Sequence, residues 1–333
     1  MVLRCWRDGW RRVLAAPAVV VGVLVLTCVL AMPLALLLRG EIAARLGDSL
    51  AADAMADGVA YTWWEEFLAG TTSLGGTFTP AVVGFAATLG NLSDLLDGRA
   101  PAAPLVWALG LYLVAWTFLA GGILDRYARQ RPTRAHGFFA ACGVFFFRFL
   151  RLAVVAGVVY WWLFAFVHPW LFDGLFDDLT RDLSVERTAF FWRVALYAVF
   201  GALLVAANVV FDYTKVRLVV EDRHSVVGAL VAALRFVRRH PARVAGLYAL
   251  NALVFLAVLA VWALAAPGVT GSGAAMWLAF FGSQAYIVVR LLLKLQFLAS
   301  QTALFQANLA HASFVRAPAP VWPESPAAET IGG

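Results

Sequence analysis

Charge is what this chain has least of. Asp, Glu, Lys and Arg together make up 14% of its 333 residues, whereas hydrophobic residues make up 62%. A soluble domain carries about a quarter charged residues, so too few polar groups are present to coat a globule in water. Cysteine is scarce as well: Cys5, Cys28 and Cys142 are the only three, with no CxxC or CxxxxH spacing. That leaves no disulfide framework and no zinc site to expect, and no metal ligand set is assigned. Lysine is nearly absent, with Lys215 and Lys294 the only two among 26 basic residues. Together with the heavy Ala, Val and Leu usage, this suggests a bacterial chain. Motifs for nucleotide, phosphate or acyl chemistry are missing: no GxxxxGK[ST], GxGxxG, GxSxG or HExxH occurs in a suitable context. The reading is therefore a non-enzyme with no cofactor and no nucleic-acid partner, despite a formal charge of +6.

What remains is long apolar runs. A bilayer core of roughly 30 Å takes about 20 apolar helical residues. Six runs of suitable length lie at about 14–38, 104–124, 152–168, 190–211, 244–266 and 276–297. Arg4, Arg7, Arg11 and Arg12 precede the first run like a signal peptide. The run is too long for a signal peptide and no clean cleavage site follows, so it reads as a retained span. The expected fold is an all-α polytopic bundle of six transmembrane helices in three hairpins, forming a single membrane domain over 1–315. A Pro- and Ala-rich tail over 316–333 is expected to be disordered and cytoplasmic.

Lys and Arg alternate between the connections. The N-terminus, 125–151 and 212–243 are strongly basic, whereas 39–103 and 169–193 are acid-rich and 267–275 is uncharged. By the positive-inside rule both termini are cytoplasmic, and the membrane is the bacterial inner membrane. Trp107, Trp161, Trp162, Trp170, Trp192, Trp262 and Trp277 then fall near outer ends, and Trp6, Trp10, Tyr127 and Tyr213 near inner ones.

A repeat is visible within the chain. Asp125 precedes Arg148-Phe149-Leu150-Arg151 by the same interval that separates Asp212 from Arg235-Phe236-Val237-Arg238, and Arg7–Arg12 reads as a degenerate third copy. Each unit would be a basic amphipathic helix on the inner surface followed by a hairpin. Segment 225–239 has an N-cap candidate in Ser225 and stops before His240-Pro241. Segment 137–152 is its phenylalanine-rich counterpart. Two interpretations of these helices stand side by side: anionic-phospholipid binding, or orientation and anchoring alone.

The long segment 39–103 is expected to be helical and external. It would comprise a helix over Glu41–Val59, an interface anchor at Tyr61-Thr62-Trp63-Trp64, and a helix over 79–98 that lies in the interface or re-enters the bundle. The acidic cluster around Asp173–Glu186 reads as a solvated face. His168-Pro169-Trp170 reads as the terminus of the third span.

Two sets of residues are candidates for function. Asp125 is expected to pair with Arg148 or Arg151, and Asp212 with Arg235 or Arg238, locking each amphipathic helix to its hairpin. Asn208, Asn251, Arg290 and Lys294 are polar groups at membrane depth, where ionisable side chains are expensive. Asn208 and Asn251 can bond between helices. Arg290 and Lys294 share a helix face one turn apart and either snorkel or hold a substrate.

The repeated Asp125…Arg148-Phe149 and Asp212…Arg235-Phe236 pattern resembles bacterial six-span proteins of unknown function, over roughly 100–315. It is also similar to the membrane domains that accompany some glycerophosphodiester phosphodiesterases. The resemblance implies this architecture and a lipid or envelope setting, and no catalytic residue carries over from it. The leading expectation is a non-catalytic scaffold or lipid-associated protein whose partners are membrane lipids. The sequence does not assign a protein partner or a homo-oligomer. The alternatives are a transporter or channel component with a polar site near Arg290 and Lys294, which requires a polar cavity, and a membrane-embedded enzyme.

Overall fold

A computed structural model describes residues 1–47, 49–57, 60–71, 103–265 and 273–311. The helix expected over 79–98 and the tail 316–333 lie outside the described residues. Within them every regular element is helical and no strand occurs.

The chain begins with α1 (Val2–Leu14), which Pro17 separates from the long α2 (Pro17–Leu46). Pro at the first helical position has no N–H to lose, so α2 starts there. Two short helices follow, α3 (Ala51–Asp57) and α4 (Tyr61–Gly70), then α5 (Ala103–Arg129). Next come α6 (Ala135–Trp162), two π-helical turns at Leu163–Val167 and Trp170–Leu175, and α7 (Phe176–Thr180). Last are α8 (Glu186–Val220), α9 (Val226–Arg239), α10 (Pro241–Ala265) and α11 (Ala274–His311).

Six of these helical segments are long and apolar enough to cross a membrane. Their outward surfaces agree with that composition. In α2, Val25, Val29, Met32 and Leu36 are each more than half exposed. A contiguous apolar face of this kind has no place in water and matches lipid instead. The protein is a multi-pass membrane protein.

Three sequence expectations need correction. First, 137–152 is not a separate surface helix. It is the beginning of α6, which runs on into the third span because no proline follows Arg151, whereas Pro17 and Pro241 break the chain after α1 and α9. Second, the third helical segment does not stop at His168. It continues to Thr180 through two π-turns, a spacing that absorbs the missing N–H of Pro169. Third, Trp63 and Trp64 are not exposed anchors. With Phe67 they form a small buried core against Ile42, Leu46, Ala51 and Met55, and Trp63 Nε1 donates to the Arg45 carbonyl at 3.5 Å. Glu41–Leu46 accordingly belongs to α2 rather than to a new helix.

The main core gathers at the basic end of the bundle. Helix α1 packs along α11, the first half of α6 along α5, and α9 along α8. Ser225 caps α9 by accepting the Gly228 N–H at 3.2 Å, and α9 turns Val226, Ala229, Ala233 and Phe236 inward. Glycine permits the closest approaches. A Cβ on Gly122 would lie 2.5 Å from Cys142 Sγ, and one on Gly9 would lie 2.9 Å from Ser300 Cα. Buried Arg12 ties three helices together, donating to the Tyr127 carbonyl at 3.0 Å and to Gln306 Oε1 at 2.7 Å. Gln306 Nε2 in turn donates to the Ala128 carbonyl at 3.0 Å.

Candidate functional site

Polar groups at membrane depth converge on one place. Asp212, near the basic end of α8, is buried and receives four donors. Tyr248 Oη of α10 donates to Oδ2 at 2.6 Å and Gln301 Nε2 of α11 at 3.2 Å, while Asn208 Nδ2 reaches the same oxygen at 3.3 Å. Lys215 Nζ bonds Oδ1 at 2.9 Å. Gln301 also donates to Tyr248 Oη at 2.8 Å, so α8, α10 and α11 meet in one closed network. Beside it, Asn251 Nδ2 donates to Ser300 Oγ at 3.1 Å and joins α10 to α11.

This network forms part of the wall of a cavity of about 820 Å³. Five helices border it: α2 through Thr27, α5 through Tyr112 and Trp116, α8 through Asn208, Asp212 and Lys215, α10 through Asn251, and α11 through Arg290 and Lys294. The four intramembrane polar residues singled out in the sequence therefore share one cavity. Asp212 and Lys215 join them.

Its charges do not balance. Three cations line the cavity, and Asp212 is the one carboxylate among its described lining residues. Asp212 is taken by Lys215. Lys294 donates to the Tyr112 hydroxyl and lies 3.5 Å from the centre of the Trp116 ring and 4.7 Å from that of Tyr112. Neither Lys294 nor Arg290 has a carboxylate partner among the described residues. The Arg290 guanidinium sits 5.6 Å from the Tyr286 ring, which stacks on Trp262. Cation–π contacts are worth up to about 2 kcal/mol each when desolvated and so partly offset the cost of these charges. They leave the excess positive charge in place.

The ion pairs expected from the repeat are not formed. Asp125 accepts from Arg129 at 2.6 Å, one turn along its own helix, instead of from Arg148 or Arg151. Arg148 is buried and turned toward the α8–α9 loop, where it donates to Asp222 Oδ1 at 2.6 Å and to the Arg223 carbonyl at 3.3 Å. That bond holds the Asp222 carboxyl below its ordinary range. Asp222 itself has a φ of 48°, a left-handed turn that Asp tolerates better than most residues. Arg151 is exposed and bonds the Phe147 carbonyl at 3.2 Å. Asp212 pairs with Lys215, three residues on, while Arg235 and Arg238 are exposed on the outward side of α9. Partners in the same helical turn are always within reach, and this proximity outcompetes the longer-range pairing.

Sequence reading missed Lys215, Tyr112, Trp116, Tyr248 and Gln301. One signal was present for the first of these: both of the chain's lysines line this cavity, in a protein that otherwise uses arginine. The remaining partners are set by tertiary packing, which leaves no mark in local spacing.

Among the described residues no three of His, Cys, Asp and Glu come together as a metal-binding group would require. Comparison with protein-family models, with curated proteins and with solved structures gives no match.

Proposed function

We propose that the protein is a transporter or channel component of a bacterial cytoplasmic membrane, with both termini inside, and that the five-helix cavity receives an anion. One observation carries this reading: Lys294 and Arg290 face a membrane-depth cavity in which the one carboxylate among the described lining residues is already bound to Lys215. Uncompensated cations at that depth are costly, and an incoming anion repays the cost. Aliphatic and aromatic walls beside the charges suit an organic anion with an apolar part, held by binding and not by covalent chemistry. The implied lipid or envelope setting remains compatible with such a ligand.

The test uses the purified chain and its Lys294→Met variant with octanoate, octyl phosphate, octyl sulfonate and, as a cationic counterpart, octyltrimethylammonium. At least one anion should raise the thermal midpoint of the wild type, and the cation should not. Lys294→Met should keep or raise the basal midpoint while weakening the anion response tenfold or more, in keeping with the roughly 1.5–3 kcal/mol of a charge-assisted hydrogen bond. Equal anion responses in the two proteins would overturn the assignment. So would a basal collapse of the variant, which would make Lys294 a structural anchor.

The internal repeat belongs to the same proposal. Six residues before Arg11, Arg148 and Arg235 stand Cys5, Cys142 and Ala229, three small buried side chains. Each lies on a basic helical segment packed along a membrane-spanning helix, α11, α5 and α8 respectively. Three copies arranged around a common centre would enclose a central cavity of this kind.

A further inference from the structure

A second site lies on the lipid-facing side of the bundle. Helices α2 and α6 both pack against α5, and between them runs a groove of about 680 Å³. Its two ends differ in chemistry. At the basic end stand Arg126 of α5 and Thr133 of the α5–α6 loop, beside the break between α1 and α2 at Pro17. Arg126 Nη2 donates to the Ala15 carbonyl at 2.9 Å, which fixes the guanidinium there. A guanidinium carries five N–H donors, so most of the fork is left for another acceptor. Arg126 is the one charged group among the described lining residues, and it has no carboxylate partner among the described residues.

Away from Arg126 the walls are apolar and run into the membrane. Along α2 the lining continues through Gly22 and Leu26 to Val29, about 18 Å beyond Pro17 at the helical rise. Along α5, Leu119 lies about 10 Å deeper than Arg126 by the same rise. Both helices are membrane-spanning segments, so the apolar end of the groove points toward the bilayer centre and Arg126 toward the headgroups. The α2 wall matches the hydrocarbon of one leaflet, about 15 Å or half of the bilayer core. Val25, Val29 and Phe139 are each more than half exposed, so the groove opens sideways to lipid. Gly22 keeps its middle clear, since nothing lies within 4 Å of its Cβ position.

We propose that this groove binds an anionic phospholipid of the leaflet at the basic end, with its phosphate on Arg126 and one acyl chain lying over Gly22 toward Val29. Arginine forks match phosphate oxygens in a bidentate manner. A zwitterionic headgroup brings its own cation to the phosphate, whereas an anionic one does not, and the unpaired Arg126 favours the latter. A soluble phosphate would leave the apolar wall empty, so the lipid is the occupant. The groove shares no described lining residue with the five-helix cavity, and its failure would leave the cavity reading untouched.

The full chain is purified in a mild detergent and titrated with phosphatidylglycerol or phosphatidylcholine while bound lipid is counted by native mass spectrometry. Wild type should retain phosphatidylglycerol in preference to phosphatidylcholine, and equal retention would overturn the proposal. Arg126→Gln should lower that preference about fivefold or more, as the loss of one basic group predicts. Gly22→Leu should lower retention of phosphatidylglycerol by about fivefold or more, because the new side chain occupies the path of the acyl chain. Gly40→Leu is its control: Gly40 lies on the same helix outside the groove and also has open space at its Cβ position. It should bind as wild type, as should Lys294→Met. If Gly22→Leu and Gly40→Leu retain lipid alike, no chain lies in the groove; if Arg126→Gln keeps the wild-type preference, the phosphate sits elsewhere. Either result overturns the site. A change of oligomeric state in Gly22→Leu at unchanged lipid retention would instead make the groove an interface between copies of the chain. Both leucine replacements remove a helical glycine without steric conflict, so their thermal midpoints should equal or exceed that of wild type. Should Arg126→Gln lose stability with its Ala15 bond, Gly22→Leu still decides.

Discussion

Replacing Asp212 by alanine is expected to destabilise the protein by about 3–5 kcal/mol, the range for removing one partner of a buried ion pair. Asp212 is 8% exposed, and its carboxylate satisfies Tyr248, Gln301, Asn208 and Lys215 together. Its removal leaves the Lys215 ammonium without a counter-charge and the Gln301 amide without its carboxylate acceptor. Asp212→Asn keeps the shape and part of the bonding, so it should fall between alanine and wild type. Asp125→Asn is the informative comparison, although the repeat makes the two aspartates look equivalent. Among the described residues Asp125 has one partner, Arg129, whose side chain is 57% exposed, so the loss there should stay within about 1 kcal/mol. Thermal and denaturant midpoints in one detergent would rank the variants. Equal losses at the two positions would show that the Asp212 network does not hold α8, α10 and α11 together.

The second large effect is expected at Gly122. An alanine Cβ there would meet Cys142 Sγ at 2.5 Å and the Phe138 carbonyl oxygen at 2.9 Å. The second contact is backbone and cannot swing away, so α5 and α6 must move apart. Overpacking of this kind costs about 1–3 kcal/mol, and Gly122→Leu should exceed that range. Gly110, on the same helix, has nothing within 4 Å of its Cβ position. Gly110→Ala should therefore be neutral or stabilising by up to about 1 kcal/mol, as helix propensity alone dictates. If both alanine variants melt together with wild type, the tight α5–α6 contact is not present in solution.

The parts of this structure that sequence made legible are those set by local physics. Six apolar runs of bilayer length announce the spanning helices, and the Ser225 cap and the break at Pro241 mark the start and the end of the basic helix α9. Arg290 and Lys294 stood out because a charge inside a long apolar run has few cheap explanations. Other features depend on competition between partners. Whether Arg148 turns to Asp125 or to Asp222 is decided by how α6 lies against the α8–α9 loop, and the sequence holds both options. Lys215 resembled an ordinary boundary charge, and only the fold places it beside Asp212. The burial of Trp63 and Trp64 follows from the return of α4 onto the end of α2, which local spacing does not reveal.

The most direct measurement needs no knowledge of the ligand. Ala252 lines the cavity, so Ala252→Cys places a thiol there. Cys28, the one exposed native cysteine, is changed to serine, while Cys5 and Cys142 are buried and stay. Reaction rates are then measured with a sulfonate-bearing and a trimethylammonium-bearing methanethiosulfonate, with Arg290 and Lys294 intact and in an Arg290→Gln/Lys294→Met background. The expected result is that the anionic reagent reacts about tenfold faster when the two cations are present, and that the cationic reagent shows the opposite trend. Rates that ignore the double substitution, or a thiol that reacts with neither reagent, would contradict a cation-lined cavity open to an anion.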